Sequence, residues 1–280
     1  GWNLTPDPSP QGEGSSEAAS GSNLTPLSSW RGVGGEVLAT NWFSAKLRLA
    51  AEELADDFSK YRLSEALMTV YKLFWDEFSS WYLEMVKPAY VDGKPQPVDR
   101  TTYGATLQFF EVLLKMLHPF MPFITEELWQ ALYDRLPGES IMRAELHLDA
   151  PTDADRKLCA DFEHLKEVIT GVRAIRSQKN IAPKEKLTLE VVKATSDSAQ
   201  GTAEDALLKK MANLAAVNVV AEKSAGSASF LVGTTEYAVP LGDLIDLDAE
   251  RKRLEGELQR IEGFLASVEK KLQNERFVQN

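Results

Sequence analysis

The sequence has a single cysteine, Cys159, among its 280 residues. One cysteine excludes an internal disulfide and a cysteine-based zinc cage. No apolar run approaches the roughly 18 residues that would cross a bilayer, and the first residues lack the basic-then-apolar layout of a secretory signal. A free cysteine usually packs as a small hydrophobe, so we expect Cys159 to be buried. We therefore expect a cytoplasmic protein without a membrane partner.

Histidine is also scarce, and no catalytic motif is visible. The three histidines, His118, His147 and His164, fall in separate segments without the spacing of metal ligands. The glycines of residues 32–35 follow no predicted strand, so they do not form a phosphate-binding loop. The sequence predicts no metal site and no catalytic residue in this chain.

Basic residues are outnumbered, because 31 Lys and Arg face 42 Asp and Glu and leave a net charge of −11. This balance excludes a protein that coats nucleic acid indiscriminately, but a local basic patch could still bind RNA specifically. Such a patch closes a predicted helix, where Lys166, Arg173 and Arg176 fall within roughly 80° of one another on the helical wheel. Lys179 follows them. The helix dipole alone also favours cations at a C-terminus, so helix capping and phosphate contact both stay open.

Composition and the spacing of apolar residues divide residues 3–243 into three segments. Pro, Gly and Ser dominate residues 3–40, where few side chains could bury apolar area, and they predict a flexible insertion. Residues 41–182 carry apolar residues at helical spacing with short connections, which predicts an antiparallel helical bundle. Over residues 183–243 short β-type runs surround one helix, which predicts a small mixed α/β unit.

The last segment, residues 244–280, predicts a coiled-coil helix. Its apolar residues advance in a heptad pattern, with Arg251 at one position of the seam. Only about three heptads are present, and a lone helix cannot bury its seam. We therefore expect a truncated coiled coil, whose free seam would allow artefactual dimers. The seam residues are Leu247, Leu254, Leu258, Ile261, Leu265, Val268 and Leu272.

A second candidate RNA surface lies on the long helix that ends before Pro88. Trp81 belongs to an apolar stripe and should be buried, so Tyr82 and Lys87 are freer to face outward. An exposed aromatic beside a lysine can stack on an unpaired base. The other members of the stripe are Leu63, Ala66, Leu67, Val70, Phe74 and Phe78.

Several motifs together resemble the class I aminoacyl-tRNA synthetases for branched-chain amino acids, and among these the valyl-tRNA synthetases. Ser79 stands where many members have cysteine. The runs that resemble the anticodon-binding domain are residues 41–47, 74–84 with Lys87, 117–130 and 139–142. The runs that favour the valyl enzymes are residues 172–176, 180–183, 240–241 with Asp246, 250–254 and 271–278.

The resemblance implies the tRNA-binding part of a synthetase, because the catalytic signatures of the family are missing from this chain. The parent enzyme would join valine to tRNA(Val) with ATP and Mg²⁺ in another domain, so this fragment would need no cofactor. The bundle would contact the anticodon stem-loop, the coiled coil would contact the outer corner of the tRNA, and the parent would be monomeric. From charge, exposure and likeness, the expected RNA contacts are Lys46, Tyr82, Lys87, Lys166, Arg173, Arg176 and Lys179.

Two alternatives remain at this point. The first is the equivalent fragment of an isoleucyl- or leucyl-tRNA synthetase, although an intact heptad seam without zinc-type cysteines speaks against it. The second is a helical coiled-coil scaffold without any RNA role. A salt-dependent titration with tRNA separates the scaffold from the synthetase fragment, because only the latter binds.

Overall fold

The computed structural model describes residues 34–88, 90–91, 93–193, 203–242 and 247–272. These residues are mostly helical with a small mixed sheet, as the sequence predicted. In chain order the elements are α1 (Gly34–Ser59), α2 (Leu63–Lys72), a π-helix (Leu73–Tyr82), α3 (Leu83–Val86), β1 (Tyr90–Val91), β2 (Lys94–Pro95), α4 (Arg100–Leu117), α5 (Pro122–Leu132), a 3₁₀ turn (Ile141–Arg143), α6 (Asp153–Gln178), β3 (Leu187–Val192), α7 (Ala203–Ala212), β4 (Leu214–Val220), β5 (Ser227–Val232), β6 (Thr235–Pro240) and α8 (Leu247–Leu272).

Helix α1 begins at Gly34, so the expectation that helix starts at Asn41 is wrong. Glycine is a poor helix former, which is why the end of the 3–40 segment looked like a loop. Gly35 packs against the backbone of α7, where an added Cβ would lie in ordinary van der Waals contact, 3.7 Å from its nearest atom. Packing between the two helices therefore overrides local propensity. The rest of the predicted insertion, up to residue 33, lies outside the described residues.

The first core is aromatic and is centred on α1. The ring of Phe43 lies 5.3 Å from that of Phe78, 5.0 Å from that of Tyr82 and 5.2 Å from that of Phe109, measured between centroids. Trp42 is fully buried and stacks on the ring of Phe162, with the two centroids 4.3 Å apart. Each such aromatic contributes roughly 1.5–3 kcal/mol by leaving water, so this cluster fixes how the helices pack.

The π-helix changes which side chains face this core. Its backbone hydrogen bonds span five residues instead of the four of an α-helix, so the turn is wider. Tyr82 is consequently buried, and the expectation that it faces outward is wrong. The predicted stripe is also partly wrong, because Leu63 and Leu67 are 56% and 40% exposed. The side chains of this helix that are buried are Ala66, Val70, Leu73, Phe78, Tyr82, Met85 and Val86.

The main sheet has the strand order β4-β3-β6-β5, in which β3 and β4 are parallel and the other pairs are antiparallel. Two neighbouring parallel strands need a crossover connection. Helix α7 lies in the connection between β3 and β4. Helix α6 packs on the sheet through Val168, Val172 and Ile175. Gly171 leaves the space that the ring of Phe230 occupies on this face of α6.

Helices α6 and α7 belong to both cores. Phe162 and Ile169 of α6 lie in the aromatic core, while Val172 of the same helix lies under the sheet. Leu207 of α7 is likewise part of the aromatic core, and Ala212 of the same helix is part of the sheet core. The α/β region that begins after residue 182 therefore shares its packing with the preceding helices.

Helix α8 exposes apolar residues at heptad spacing. Leu258, Ile261 and Leu265 are each 55–57% exposed, so no part of the chain that the structure describes covers them. Among the helices within the described ranges, we find none that is long and apolar enough to cross a membrane.

Candidate nucleic-acid interface

The basic face of α6 caps the C-terminal end of α7. Arg173 donates from Nη2 to the carbonyl oxygen of Met211 at 3.0 Å. Arg176 donates from Nη2 to the carbonyl oxygens of Ala212 and Asn213 at 3.1 and 2.9 Å. The last carbonyls of a helix lack partners inside the helix and carry its negative end. Capping is therefore what the structure assigns to these guanidinium groups, although the helix they cap is α7 rather than α6.

Lys46 and Lys166 are paired with carboxylates inside the protein. Lys46 Nζ lies 3.0 Å from Glu77 Oε1 and 2.8 Å from Glu163 Oε1. Lys166 is only 8% exposed and pairs with the same two glutamates. Burial opposes the charge of Lys46, but the hydrogen bond to Glu163 and the charge of Glu77 raise its pKa above the ordinary value. Both ammonium groups would have to abandon these partners to reach a phosphate.

Indole rings complete this cluster. The Nζ atom of Lys166 lies 4.8 Å from the ring centroid of Trp42 and 5.4 Å from that of Trp81. The guanidinium carbon of Arg173 lies 5.6 Å from the same Trp81 ring. Cations over an indole face gain electrostatic stabilisation. The structure thus brings Lys46 and Lys166 together at Trp42 and the two glutamates, and the exposed Arg173 adjoins Lys166 across the ring of Trp81.

The other predicted residues are scattered. The hydroxyl of Tyr82 pairs with Thr106 Oγ1 at 2.8 Å, and burial raises the pKa of Tyr82. Lys87 is exposed and pairs at 3.1 Å with Glu84, a surface ion pair of small energetic weight. Lys179 is half-buried at the C-cap of α6. Of this group, Lys87 is the residue most accessible to RNA.

An exposed row along α2 and the π-helix was missed by the sequence analysis. Met68, Tyr71 and Trp75 are 49%, 53% and 58% exposed. They follow one another at spacings of three and four, which places neighbours on one side of a helix, and the exposed Lys72 lies beside them. We call Met68, Tyr71 and Trp75 the aromatic row. The sequence did contain an indication of this row. Apolar residues occur on two sides of this helix, and only one side can face the core.

Two of the motifs quoted above contact each other. Glu126 accepts hydrogen bonds from Ser140 Oγ at 2.7 Å and from the backbone N–H of Ile141 at 3.1 Å. Hydrogen bonds from Gln130 and Ser140 outweigh desolvation and lower the pKa of Glu126. Glu126 therefore anchors the segment around Ser140 to helix α5.

A buried ionic cluster lies under this contact. Glu111 accepts from Trp129 Nε1 at 2.9 Å and from Arg135 at 3.2 Å, and it pairs with Lys115 at 3.1 Å. Burial lowers the pKa of Lys115 to about 8, although Glu111 opposes the shift. The side chains of Glu111, Lys115 and Arg135 are only 5%, 7% and 17% exposed, so the cluster serves the packing of these helices.

The sequence is similar to proteins of known family. A family model described as the anticodon-binding domain of tRNA ligase matches residues 40–192, and a model described as the valyl tRNA synthetase tRNA binding arm matches residues 246–280. The valine–tRNA ligase of Phocaeicola vulgatus is 56% identical over 241 residues, which are 86% of this chain and 26% of that protein. That of Bacteroides thetaiotaomicron is 56% identical over 246 residues, 87% of this chain and 27% of that protein. That of Syntrophotalea carbinolica is 34% identical over 244 residues, 86% of this chain and 27% of that protein. The chain spans about a quarter of the length of these relatives.

Proposed function

The chain belongs to the family of the anticodon-binding domains of tRNA ligases, and from this premise we propose that it is the tRNA-binding portion of a valine–tRNA ligase. The observation that carries the proposal is the order of two family matches on one chain, the anticodon-binding domain at residues 40–192 and the tRNA binding arm at residues 246–280. Relatives that are 55–56% identical bear the name valine–tRNA ligase. The isoleucyl, leucyl and scaffold alternatives are therefore not favoured.

The two matched regions would hold different parts of tRNA(Val). The helices would contact the anticodon stem-loop, and the arm that contains α8 would contact the outer corner. Holding the tRNA in this way places its acceptor end for aminoacylation elsewhere in a longer protein, which is a proximity effect. ATP and Mg²⁺ would act in that other part, and this chain would bind without catalysing. We place the longer protein in the cytoplasm as a monomer.

The finer architecture belongs to the same proposal. Short connections between helices favour an antiparallel bundle. The exposed Leu258, Ile261 and Leu265 on α8, at heptad spacing, favour a coiled coil with a partner helix. The partner helix would then cover the apolar seam, and the charged side chains of α8 would remain available to bind RNA.

The aromatic row is the surface that we propose for contact with anticodon-loop bases. Single-stranded RNA is bound largely by stacking its bases on aromatic side chains. Tyr71 and Trp75 offer such rings at the surface, and exposed cations lie in the same run of helices at Lys72 and at its C-cap, Lys87. Lys46 and Lys166 are not proposed as contacts, because their carboxylate partners already hold them.

The test is a titration of a tRNA(Val) transcript with the whole chain at salt concentrations between about 50 and 200 mM. We expect binding that weakens with salt. Trp75→Ala and Tyr71→Ala should each weaken it by about 1–3 kcal/mol per stacked base. Phe123→Ala is the control, because Phe123 is 90% exposed on α5, outside the row. A folded chain that binds no tRNA would refute the function, and equal affinity of all variants would refute the contact surface.

A further inference from the structure

Three basic side chains form a series of helix caps that connects the sheet region to the aromatic core. Arg173 and Arg176 of α6 cap the last carbonyls of α7. Lys210 of α7 in turn donates from Nζ to the carbonyl oxygens of Met85 and Lys87 at 2.7 and 2.8 Å. Those carbonyls close α3, which ends at Val86 and continues the π-helix. We call Arg173, Arg176 and Lys210 the capping relay.

Each cap in the relay satisfies groups that the helix itself cannot satisfy. The last four carbonyls of a helix have no partner within it, and a cation there also meets the negative end of the dipole. Arg176 adds a bond from Nη1 to the carbonyl of Ala182 at 3.3 Å, just before β3. Asn213, with a φ of 50°, turns the chain directly into β4 and donates to the carbonyl of Pro183 at 2.7 Å. The relay therefore reaches the starts of both parallel strands.

The position of the relay is the junction between the two cores. Leu207 and Met211 of α7 lie in the aromatic core, whereas the neighbouring Ala212 lies in the sheet core. The arm helix α8 begins at Leu247, shortly after β6 ends at Pro240. In chain order, most of the sheet region thus follows the matched anticodon-binding helices and precedes the arm helix, and its orientation on those helices depends on how α7 is held.

We propose that the capping relay positions the sheet region so that the helices and the arm can engage one tRNA at the same time. This inference rests on the proposed tRNA-binding function. Two linked contacts bind more tightly than either alone only when their spacing allows both, because the second contact then forms at a high effective concentration. Arg173, Arg176 and Lys210 are positioning residues, and no phosphate needs to touch them.

The salt dependence of tRNA binding separates positioning from contact. In the whole chain, Lys210→Met should weaken binding of the tRNA(Val) transcript about tenfold or more, since avidity of this kind exceeds single affinities by about 10²–10⁴. The slope of log affinity against log salt should stay unchanged, because both contacts still form in the complex and only the effective concentration of the second contact falls. A lost phosphate contact would instead lower that slope by about 1, and this outcome would overturn the inference.

Lys209→Met is the matched control. It removes the same charge from the adjacent position of α7, where Lys209 Nζ pairs with Asp205 at 2.7 Å. Its affinity should equal that of the unaltered chain. Lys210→Arg, which can still cap α3, should retain binding. If Lys210→Met does not fold, as judged by its thermal transition, Arg176→Lys serves instead, because a single ammonium cannot reproduce the fork that meets three carbonyls.

A distance measurement without RNA tests the same idea directly. Spin labels at Lys72→Cys on α2 and Glu222→Cys after β4, in a Cys159→Ala background, report how the sheet region sits on the helices. The distance distribution should be narrow in the unaltered chain and in Lys209→Met, and broad in Lys210→Met. Equal distributions, or tRNA binding that ignores Lys210→Met, would overturn the inference while leaving the function intact. An unaltered chain that binds no tRNA would refute the proposed function itself.

Discussion

Replacing Gly171 by alanine should destabilise this protein even though alanine favours a helix. Gly171 lies inside α6, where an added Cβ would be 2.8 Å from Cζ of Phe230 and closer still to two other ring carbons. The ring cannot simply swing away, because it stacks on Tyr237 with centroids 5.5 Å apart. The new methyl group would therefore push β5 and its neighbour away from the helix.

The expected magnitude follows from two opposing terms. Alanine is more favourable than glycine in a helix interior by about 1 kcal/mol. Forcing an extra methyl group into a packed core costs about 1–3 kcal/mol. The balance is a net loss of up to about 2 kcal/mol in the free energy of unfolding. At Gly104 in α4 an added Cβ would meet no atom within 4 Å, so Gly104→Ala should instead stabilise by about 0.5–1 kcal/mol.

Urea unfolding of the whole chain measures both variants. The same chemical change should shift the midpoint down at Gly171 and up at Gly104. In a Phe230→Ala background the penalty of Gly171→Ala should largely disappear, since residues in contact show non-additive effects. If Gly171→Ala stabilises as much as Gly104→Ala, the close packing of β5 on α6 is refuted.

Two further predictions concern pH. Burial opposes ionisation of Asp155, but hydrogen bonds from Arg48 and Thr152 hold its pKa at about 2, below the unfolded value of about 3.9. Asp155→Asn should therefore cost about 2–3 kcal/mol at neutral pH, and its difference from the unaltered chain in urea unfolding should vanish as pH falls from about 4 to about 2. Burial lowers the pKa of Lys115 to about 8, so the unfolded chain binds more protons between that value and about 10.4. Stability should rise with pH across this window, and Lys115→Met should flatten the rise.

Periodicity and local chemistry predicted most helices and strands. The spacing of apolar residues predicts a helix from about Asp153 to Gln178, and α6 has those bounds. The start of α6 is set locally, because Thr152 and Asp155 form a capping box that satisfies the first N–H groups of the helix. Such signals lie within a few residues of the element they define. The strand Leu187–Val192 is likewise predicted locally, by a short run of β-branched and apolar residues.

Contacts between distant residues could not be predicted in this way. The carbonyls that Arg176 caps lie 36 and 37 residues further along the chain, so only the folded structure identifies its partners. Tyr82 illustrates a second limit, because a π-helix changes the angular spacing that every helical-wheel argument assumes. The site residues are predicted from charge, exposure and likeness, and none of these distinguishes a phosphate contact from a helix cap.

Helix α6 contributes side chains to both cores, and this has a consequence for cooperativity. Regions that share a packed helix cannot open independently, since exposing one part of the helix removes support from the other. A ligand that binds only the folded state on either side then protects both, by mass action. Hydrogen exchange in β3 should accordingly slow when the helices bind RNA, although no strand need touch it.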